Sequence, residues 1–212
     1  MRTAAGHAAK PLAPPLALYA RSRALPATVG VLAVAALFTW WAAARPDTFV
    51  DPDRRVPLVS LAPVMVSAAI GVSLHAYARE LDATAVRPWW TRRLVHLLTL
   101  TALAATVLAL AVPGHAETFG AAAMVRNTLG ATGLTAASAV LCGARTSWLP
   151  TTLYFSGVFL SASSPGVRKE TVLAWPVQSG PQTGSWAAAL ALFAGGVAWC
   201  AVVGTRPEGP RG

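Results

Sequence analysis

Six long apolar stretches, separated by short polar segments, constrain this chain more than any other feature. They cover residues 24–44, 56–78, 94–112, 118–144, 147–161 and 186–204. A helix needs roughly 20 apolar residues to cross the ~30 Å hydrocarbon core of a bilayer. The strict alternation of apolar and polar residues that a membrane β-barrel requires is absent from the sequence. The pattern therefore predicts an all-α integral membrane protein with six transmembrane helices.

The charge content supports this prediction. Only 12% of the 212 residues are charged, and the mean hydropathy is +0.52. Soluble domains carry about a quarter charged residues, and disordered chains are poorer in apolar residues. We therefore expect three parts: a cytoplasmic N-terminal segment (1–23), a transmembrane domain (24–205) and a cytoplasmic tail (206–212).

The N-terminal segment is basic and contains the sequence PLAPPLALYARSRALP at residues 11–26. Its leucines, tyrosine and arginines suit a short helix lying at the cytoplasmic membrane interface. A solvated basic flank that only sets the topology is the alternative. The uncharged stretch that follows is longer than the apolar core of about 7–15 residues in a signal peptide, so it predicts a membrane anchor that is retained.

The distribution of cations predicts the orientation. The chain has 17 Lys and Arg against 8 Asp and Glu. With the N-terminus inside, eleven of these cations fall on the cytoplasmic side and six on the outer side. Cytoplasmic loops of membrane proteins carry an excess of Lys and Arg, which favours both termini inside. The positive charge thus predicts contact with membrane lipid and no nucleic-acid partner.

The sequence carries no familiar catalytic motif. It has no P-loop, no H-E-x-x-H, no G-x-S-x-G and no pair of carboxylates within an apolar stretch. We expect no enzymatic activity, no cofactor and no metal site. Cys142 and Cys200 are interpreted as small buried side chains. His75 and His96 are expected near the cytoplasmic ends of spans two and three, as hydrogen-bonding residues rather than metal ligands.

Arg126 is the one charge inside apolar sequence. In one interpretation, span four begins at Asn127, residues 119–125 form a short interfacial or re-entrant piece, and Arg126 lies among headgroups. In the other, Arg126 and Asn127 lie within the membrane and face protein or a pathway, because a charge at the bilayer centre is costly. The small and hydroxyl residues that follow predict a helix–helix contact face. They are Thr128, Gly130, Thr132, Gly133, Thr135 and Ser138.

Two predicted loops contain candidate functional residues. The first cytoplasmic loop, residues 79–93, is the longest inner connection, and its acidic start and Pro88 predict a short helix that ends before Trp89 and Trp90. An interfacial belt, with the tryptophans among headgroups, is the alternative. The outer segment 163–185 is too rich in Pro and Gly to form one regular helix. Its Trp175 could enter the interface or cap a pathway.

Taken together, these features resemble the membrane subunit of type-2 ATP-binding-cassette exporters in a small bacterial form. The resemblance rests on the order of the elements and on three stretches. These are YARSRALP before span one, ELDATAVRPWWTRRLVHLL entering span three, and VRNTLGATGL opening span four.

The resemblance implies a permease subunit in the bacterial cytoplasmic membrane. A second permease copy or a sister permease would complete the substrate pathway, and separate ATPase subunits would drive export. The first cytoplasmic loop would dock into the ATPase, and Trp175 would belong to an outer gate. The residues expected at the ATPase contact are Glu80, Asp82, Arg87, Trp89 and Trp90. A non-transport membrane protein, such as an assembly, immunity or regulatory factor, is the alternative.

Overall fold

The computed structural model describes six α-helices and one 3-10 helix, and it has no β-strand among its described residues, which are 25–44, 52–75, 89–112, 120–162, 172–178 and 180–207. The α-helices are α1 (Leu25–Ala44), α2 (Pro52–Ser73), α3 (Trp89–Ala111), α4 (Gly120–Cys142), α5 (Trp148–Ala162) and α6 (Thr183–Val203). Between α5 and α6 lies the 3-10 helix Val172–Val177, here called the 3-10 segment. The all-α prediction is confirmed.

Two helices, α3 and α6, are long and apolar enough to cross a membrane. Two others contain shorter apolar stretches, Pro26–Ala42 in α1 and Leu61–Ser73 in α2. By this criterion two helices are consistent with a membrane protein, and six spans are not confirmed. The predicted N-terminal interfacial helix lies outside the described residues.

The helix boundaries differ from the apolar stretches where polar residues adjoin them. Helix α2 begins at Pro52 and ends at Ser73, and α3 begins at Trp89, five residues before its apolar stretch. Backbone hydrogen bonding continues through polar residues, so both helices begin before the apolar stretch, whereas α2 ends before its stretch does. In the first turn of α3, the Arg92 guanidinium lies 4.9 Å from the centre of the Trp89 ring, a cation–π contact at i, i+3 spacing.

Helix α4 forms the centre of the bundle. It packs against α2, α3, α5 and α6, most extensively against α6. At the α4–α6 crossing, a Cβ on Gly133 would overlap the backbone of Leu192 and Phe193, and one on Gly196 would overlap the backbone of Gly133. Because both positions lack a side chain, the two helices approach to backbone contact. The predicted contact face of α4 is confirmed by its buried glycines and hydroxyl residues.

One end of the bundle gathers the ends of α2, α4 and α6 and the beginning of α3. His96 Nε2 lies 2.9 Å from Ser73 Oγ, which joins α3 to the end of α2. The Arg206 backbone N–H donates to the Ala139 carbonyl at 3.0 Å, and its guanidinium donates to the Leu141 carbonyl at 3.0 Å. We call this end the Arg206 end. Consecutive α-helices from α2 to α6 therefore run in alternating directions.

Arg93 closes the same end by covering the last turn of α6. Its Nη1 donates to the Ala201 carbonyl at 3.5 Å, and its guanidinium lies where a Cβ on Gly204 would stand. Gly204 has φ 82° and ends the helix in a conformation that favours glycine. Cations at helix C-termini bind the last carbonyls and complement the helix dipole, so Arg93 and Arg206 each stabilise a helix end.

The two neighbouring glycines of α6 give a matched stability test. Gly196→Ala should lower the midpoint of thermal unfolding in detergent by about 5 °C, because overpacking a tight contact costs about 1–3 kcal/mol. Gly195→Ala should leave the midpoint unchanged or slightly higher, because no atom lies within 4 Å of a Cβ there. Equal midpoints for the two variants would contradict the close α4–α6 crossing.

Candidate functional site

Arg126 lies within α4, which runs without interruption from Gly120 to Cys142. Its side chain is 0% exposed. The prediction of a helix that begins only at Asn127, after a separate short piece at residues 119–125, is therefore wrong, and protein encloses the Arg126 side chain. The reason is tertiary: a segment distant in sequence covers this part of α4, and hydropathy of the local sequence does not report it.

The covering element is the 3-10 segment with the residue after it. Arg126 Nη2 donates to the Gln178 carbonyl at 2.7 Å, and Asn127 Nδ2 donates to the Pro176 carbonyl at 2.8 Å. Arg126 Nε also donates to Asn127 Oδ1 at 3.2 Å, which fixes the two side chains relative to each other. Carbonyls at the end of a short helix have no partner within the helix, and buried ones need donors. Two adjacent residues of α4 supply those donors.

Trp175 anchors the 3-10 segment through apolar contacts, and its side chain is 1% exposed. Its ring stacks on Tyr154 at 6.2 Å between centroids and meets Phe155 edge to face at 5.4 Å. The six-membered ring of the indole lies on Gly130, where a Cβ would overlap it. Such aromatic geometries contribute about 0.5–1.5 kcal/mol beyond burial. The Trp175 side chain thus lies inside the bundle and is not exposed at its end.

Three further hydrogen bonds attach this region to α6 and α5. The Ser185 hydroxyl donates to Gln178 Oε1, and Trp186 Nε1 donates to the Gly180 carbonyl at 2.9 Å. The Tyr154 hydroxyl donates to the Leu173 carbonyl. The 3-10 segment is therefore held by α4, α5 and α6 together. We call Arg126, Asn127, Gly130, Tyr154 and Phe155 the plug site, which the 3-10 segment fills.

A hydroxyl cluster lies further along α4. Thr135 Oγ1 donates to Ser67 Oγ at 3.3 Å and lies 2.8 Å from Thr151 Oγ1, which links α4 to α2 and α5. Ser67 in turn donates to the Val64 carbonyl at 2.9 Å. Thr132 Oγ1, one turn before Thr135, is buried without a hydrogen-bond partner. The hydroxyls of Ser67, Thr135 and Thr151 act as polar contacts between helices, as the sequence predicts.

Among the described residues, the histidines and cysteines do not join the plug site. His96 makes the predicted hydrogen bond at the Arg206 end. Within the described part of the chain, no group of three or more His, Cys, Asp or Glu side chains could hold a metal ion. Cys200 is buried as expected, but Cys142 is exposed, because it is the last residue of α4 and lies where the helix leaves the packed interior.

The expected ATPase-contact residues lie apart from the plug site. Glu80, Asp82 and Arg87 fall outside the described residues. Trp89 and Trp90 form the first turn of α3 rather than the loop before it, and Trp90 is half exposed. The two tryptophans lie at the Arg206 end, where α3 begins. Counted along α4 at 1.5 Å per residue, Arg126 is roughly 20 Å from that end.

The sequence predicted some residues of the plug site and of the 3-10 segment and missed others. Arg126, Asn127 and Trp175 were expected to be functional, but nothing in the sequence predicted that they meet. The aromatic pair Tyr154 and Phe155 in α5 was missed. Its only signal is two adjacent rings in a short apolar stretch rich in hydroxyls, a pattern that a lipid-facing helix also shows.

Comparison of the chain with protein-family models, with curated proteins and with solved structures finds no match.

The hydrogen bonds of α4 should control the opening of the 3-10 segment. Arg126→Gln and Asn127→Ala should each speed amide hydrogen exchange at residues 172–178 by roughly tenfold, because a buried carbonyl left without its donor costs about 1–3 kcal/mol. Hydrogen exchange measured by mass spectrometry on the purified protein reports this directly.

The matched control is Thr128→Val. Thr128 is also fully buried on α4, but its hydroxyl donates only to Met124 of the same helix. This variant should leave exchange at residues 172–178 unchanged. The same acceleration in Thr128→Val would show that general loosening of α4, and not the two hydrogen bonds, controls the segment.

Proposed function

We propose that this chain is a six-span protein of the bacterial cytoplasmic membrane and the permease subunit of a type-2 ATP-binding-cassette exporter. Two permease subunits, identical or sister chains, form the pathway, and separate ATPase subunits supply the energy. Both termini lie in the cytoplasm. The chain itself binds lipid and its protein partners and catalyses no reaction.

The observation that carries this proposal is the position of the 3-10 segment. The resemblance to type-2 exporters implies a gate helix between the last two spans. In this chain a short helix lies at that place, between α5 and α6, and its Trp175 is 1% exposed. A solvated connector would leave a large aromatic side chain accessible. A short helix that folds back into the bundle supports a gate.

The outer faces of the helices support a lipid environment. Large apolar side chains are exposed on all six α-helices, among them Leu37 in α1, Leu110 in α3, Leu153 and Leu160 in α5, and Val202 in α6. Soluble monomers seldom expose contiguous apolar surface of this extent. Lipid chains, or a second permease subunit, would cover these faces.

The Arg206 end has the character of a cytoplasmic end. It carries Arg92, Arg93, Arg145 and Arg206, with the exposed Trp90 and Trp148 beside them. Clustered arginines mark cytoplasmic ends, and tryptophans mark membrane interfaces. The plug site lies toward the opposite end of α4, which would place the gate on the outer side.

The orientation can be measured with the two native cysteines. Cys142 is exposed next to the Arg206 end, whereas Cys200 is buried. A membrane-impermeant maleimide should label Cys142 in inverted membrane vesicles at least tenfold faster than in right-side-out vesicles. Cys142→Ser should abolish the labelling. Faster labelling in right-side-out vesicles would reverse the proposed orientation.

Coupling to an ATPase is the decisive test of the function. The charge-reversed variant Glu80→Lys with Asp82→Lys should insert normally, because acidic residues contribute little to orientation. It should retain roughly tenfold less ATPase on co-purification, since like charges across a protein contact cost several kcal/mol. Substrate export should fall in parallel.

The matched control reverses two acids that the sequence places on the outer side, Asp51→Lys with Asp53→Lys. This pair should leave ATPase co-purification unchanged. Normal binding and export by the Glu80 and Asp82 variant would eliminate the first cytoplasmic loop as the contact. A native chain that is monomeric in mild detergent and retains no ATPase would contradict the permease function.

A non-transport membrane protein is the second candidate, and one observation favours it. The donors of Arg126 and Asn127 reach carbonyls of the chain itself, so the plug site is filled without a substrate. A 3-10 segment that serves only to hold the helices together would make the same hydrogen bonds. The two functions differ in whether an ATPase co-purifies with the chain.

A further inference from the structure

The 3-10 segment occupies the plug site in the manner of a ligand. It presents one large ring, the indole of Trp175, and two acceptor oxygens, the carbonyls of Pro176 and Gln178. The ring lies against aromatic walls, and the oxygens accept hydrogen bonds from Arg126 and Asn127. An apolar group and a polar group are thus bound side by side.

We propose that the plug site is a binding site for an anionic amphiphile, with Arg126 and Asn127 binding its oxyanion and Tyr154, Phe155 and Gly130 binding a ring-sized apolar group. The 3-10 segment is an internal competitor that occupies this site until the ligand displaces it. That this ligand is the exported substrate rests on the proposed function. That the site binds such a ligand does not.

The polar half of the site favours an oxyanion over the acceptors it now holds. A guanidinium forms charge-assisted hydrogen bonds with carboxylate or phosphate oxygens that are roughly twice as strong as those with neutral acceptors. Arg126 Nη2 and Asn127 Nδ2 already point to acceptors that are only two residues apart in sequence. A single carboxylate or phosphate group can present its oxygens to both donors.

The apolar half of the site suits a flat ring. Tyr154 stacks nearly parallel to Trp175, with an angle of 28° between the rings, whereas Phe155 is nearly perpendicular at 89°. Gly130 forms a floor without a side chain, and the small Ala131 and Ala189 lie in the same buried cluster. When Trp175 leaves, these residues border a slot of the size of one aromatic ring.

The competitor is short and irregular. The 3-10 segment has six residues, and its helical geometry is broken at Ala174, where φ is −89° and ψ is 18°. Its Pro176 supplies a carbonyl but has no N–H. A ligand that binds only when the segment has left shows an affinity reduced by the open fraction. The site is therefore expected to bind weakly in the native chain and more tightly once the competitor is weakened.

The test compares three probes on the full-length protein in detergent, with Trp175→Ala as the weakened competitor. The probes are indole-3-acetate, its uncharged analogue indole-3-acetamide, and phenyl phosphate. Isothermal titration should show that Trp175→Ala binds indole-3-acetate at least tenfold more tightly than the amide. It should also bind the acid at least tenfold more tightly than the native chain does. Adding Arg126→Gln should abolish the preference for the acid.

Each outcome decides the proposal. Stronger binding of phenyl phosphate than of indole-3-acetate supports the site with phosphate as its oxyanion. Equal binding of acid and amide to Trp175→Ala means a bare apolar cavity and overturns the oxyanion site. No binding of any probe to a folded Trp175→Ala protein overturns it as well.

Two features keep the test independent of folding and of the ATPase. If Trp175→Ala does not elute as a single species, Trp175→Leu retains part of the apolar volume and takes its place. Binding is measured without an ATPase, so a failure of co-purification leaves this result intact. Conversely, a chain that couples to an ATPase but shows no preference for the acid retains the permease function and loses the site.

Discussion

The burial of one guanidinium organises much of this structure. Arg126 is fully enclosed, and a charge placed in an apolar medium is costly unless hydrogen bonds replace its water. One of those hydrogen bonds goes to the Gln178 carbonyl between α5 and α6, and it requires the 3-10 segment to lie against α4. That requirement in turn places Trp175 on Gly130, a position that any larger residue would obstruct. One buried charge thus determines the place of a short helix, an aromatic cluster and a glycine.

The second constraint is the close approach of α4 and α6 at Gly133 and Gly196. Helices that meet at backbone distance leave little freedom to slide or rotate against each other. Ser185, on the first turns of α6, binds the Gln178 side chain, while Arg126 on α4 binds the Gln178 carbonyl. The α4–α6 pair therefore forms the frame, and Gln178, the residue after the 3-10 segment, binds both of its members.

The helices and the contact face of α4 could be predicted from the sequence, because apolar length and small-residue spacing are local properties. The ends of α2 and α3 could not, since Arg54, Arg55, Arg92 and Arg93 continue helices beyond the apolar stretch. The plug site and the segment that fills it could be predicted only as separate residues: Arg126 as a charge in apolar sequence, and Trp175 as an aromatic residue in a loop rich in Pro and Gly. The contact between α4 and the 3-10 segment depends on hydrogen bonds between residues about fifty positions apart in the chain. No pattern in a single sequence reports such a contact.

The two ends of the bundle use arginine in different ways, and this difference bears on function. At the Arg206 end, Arg93 and Arg206 bind the carbonyls that α6 and α4 leave at their C-termini. At the plug site, Arg126 binds one carbonyl, that of Gln178, which directly follows the short, kinked 3-10 segment. An arginine bound to a helix end stabilises a frame, whereas under the proposed function Arg126 would exchange the Gln178 carbonyl for another partner. Under the proposed function, only the second arrangement would couple the occupancy of a site to the position of a gate.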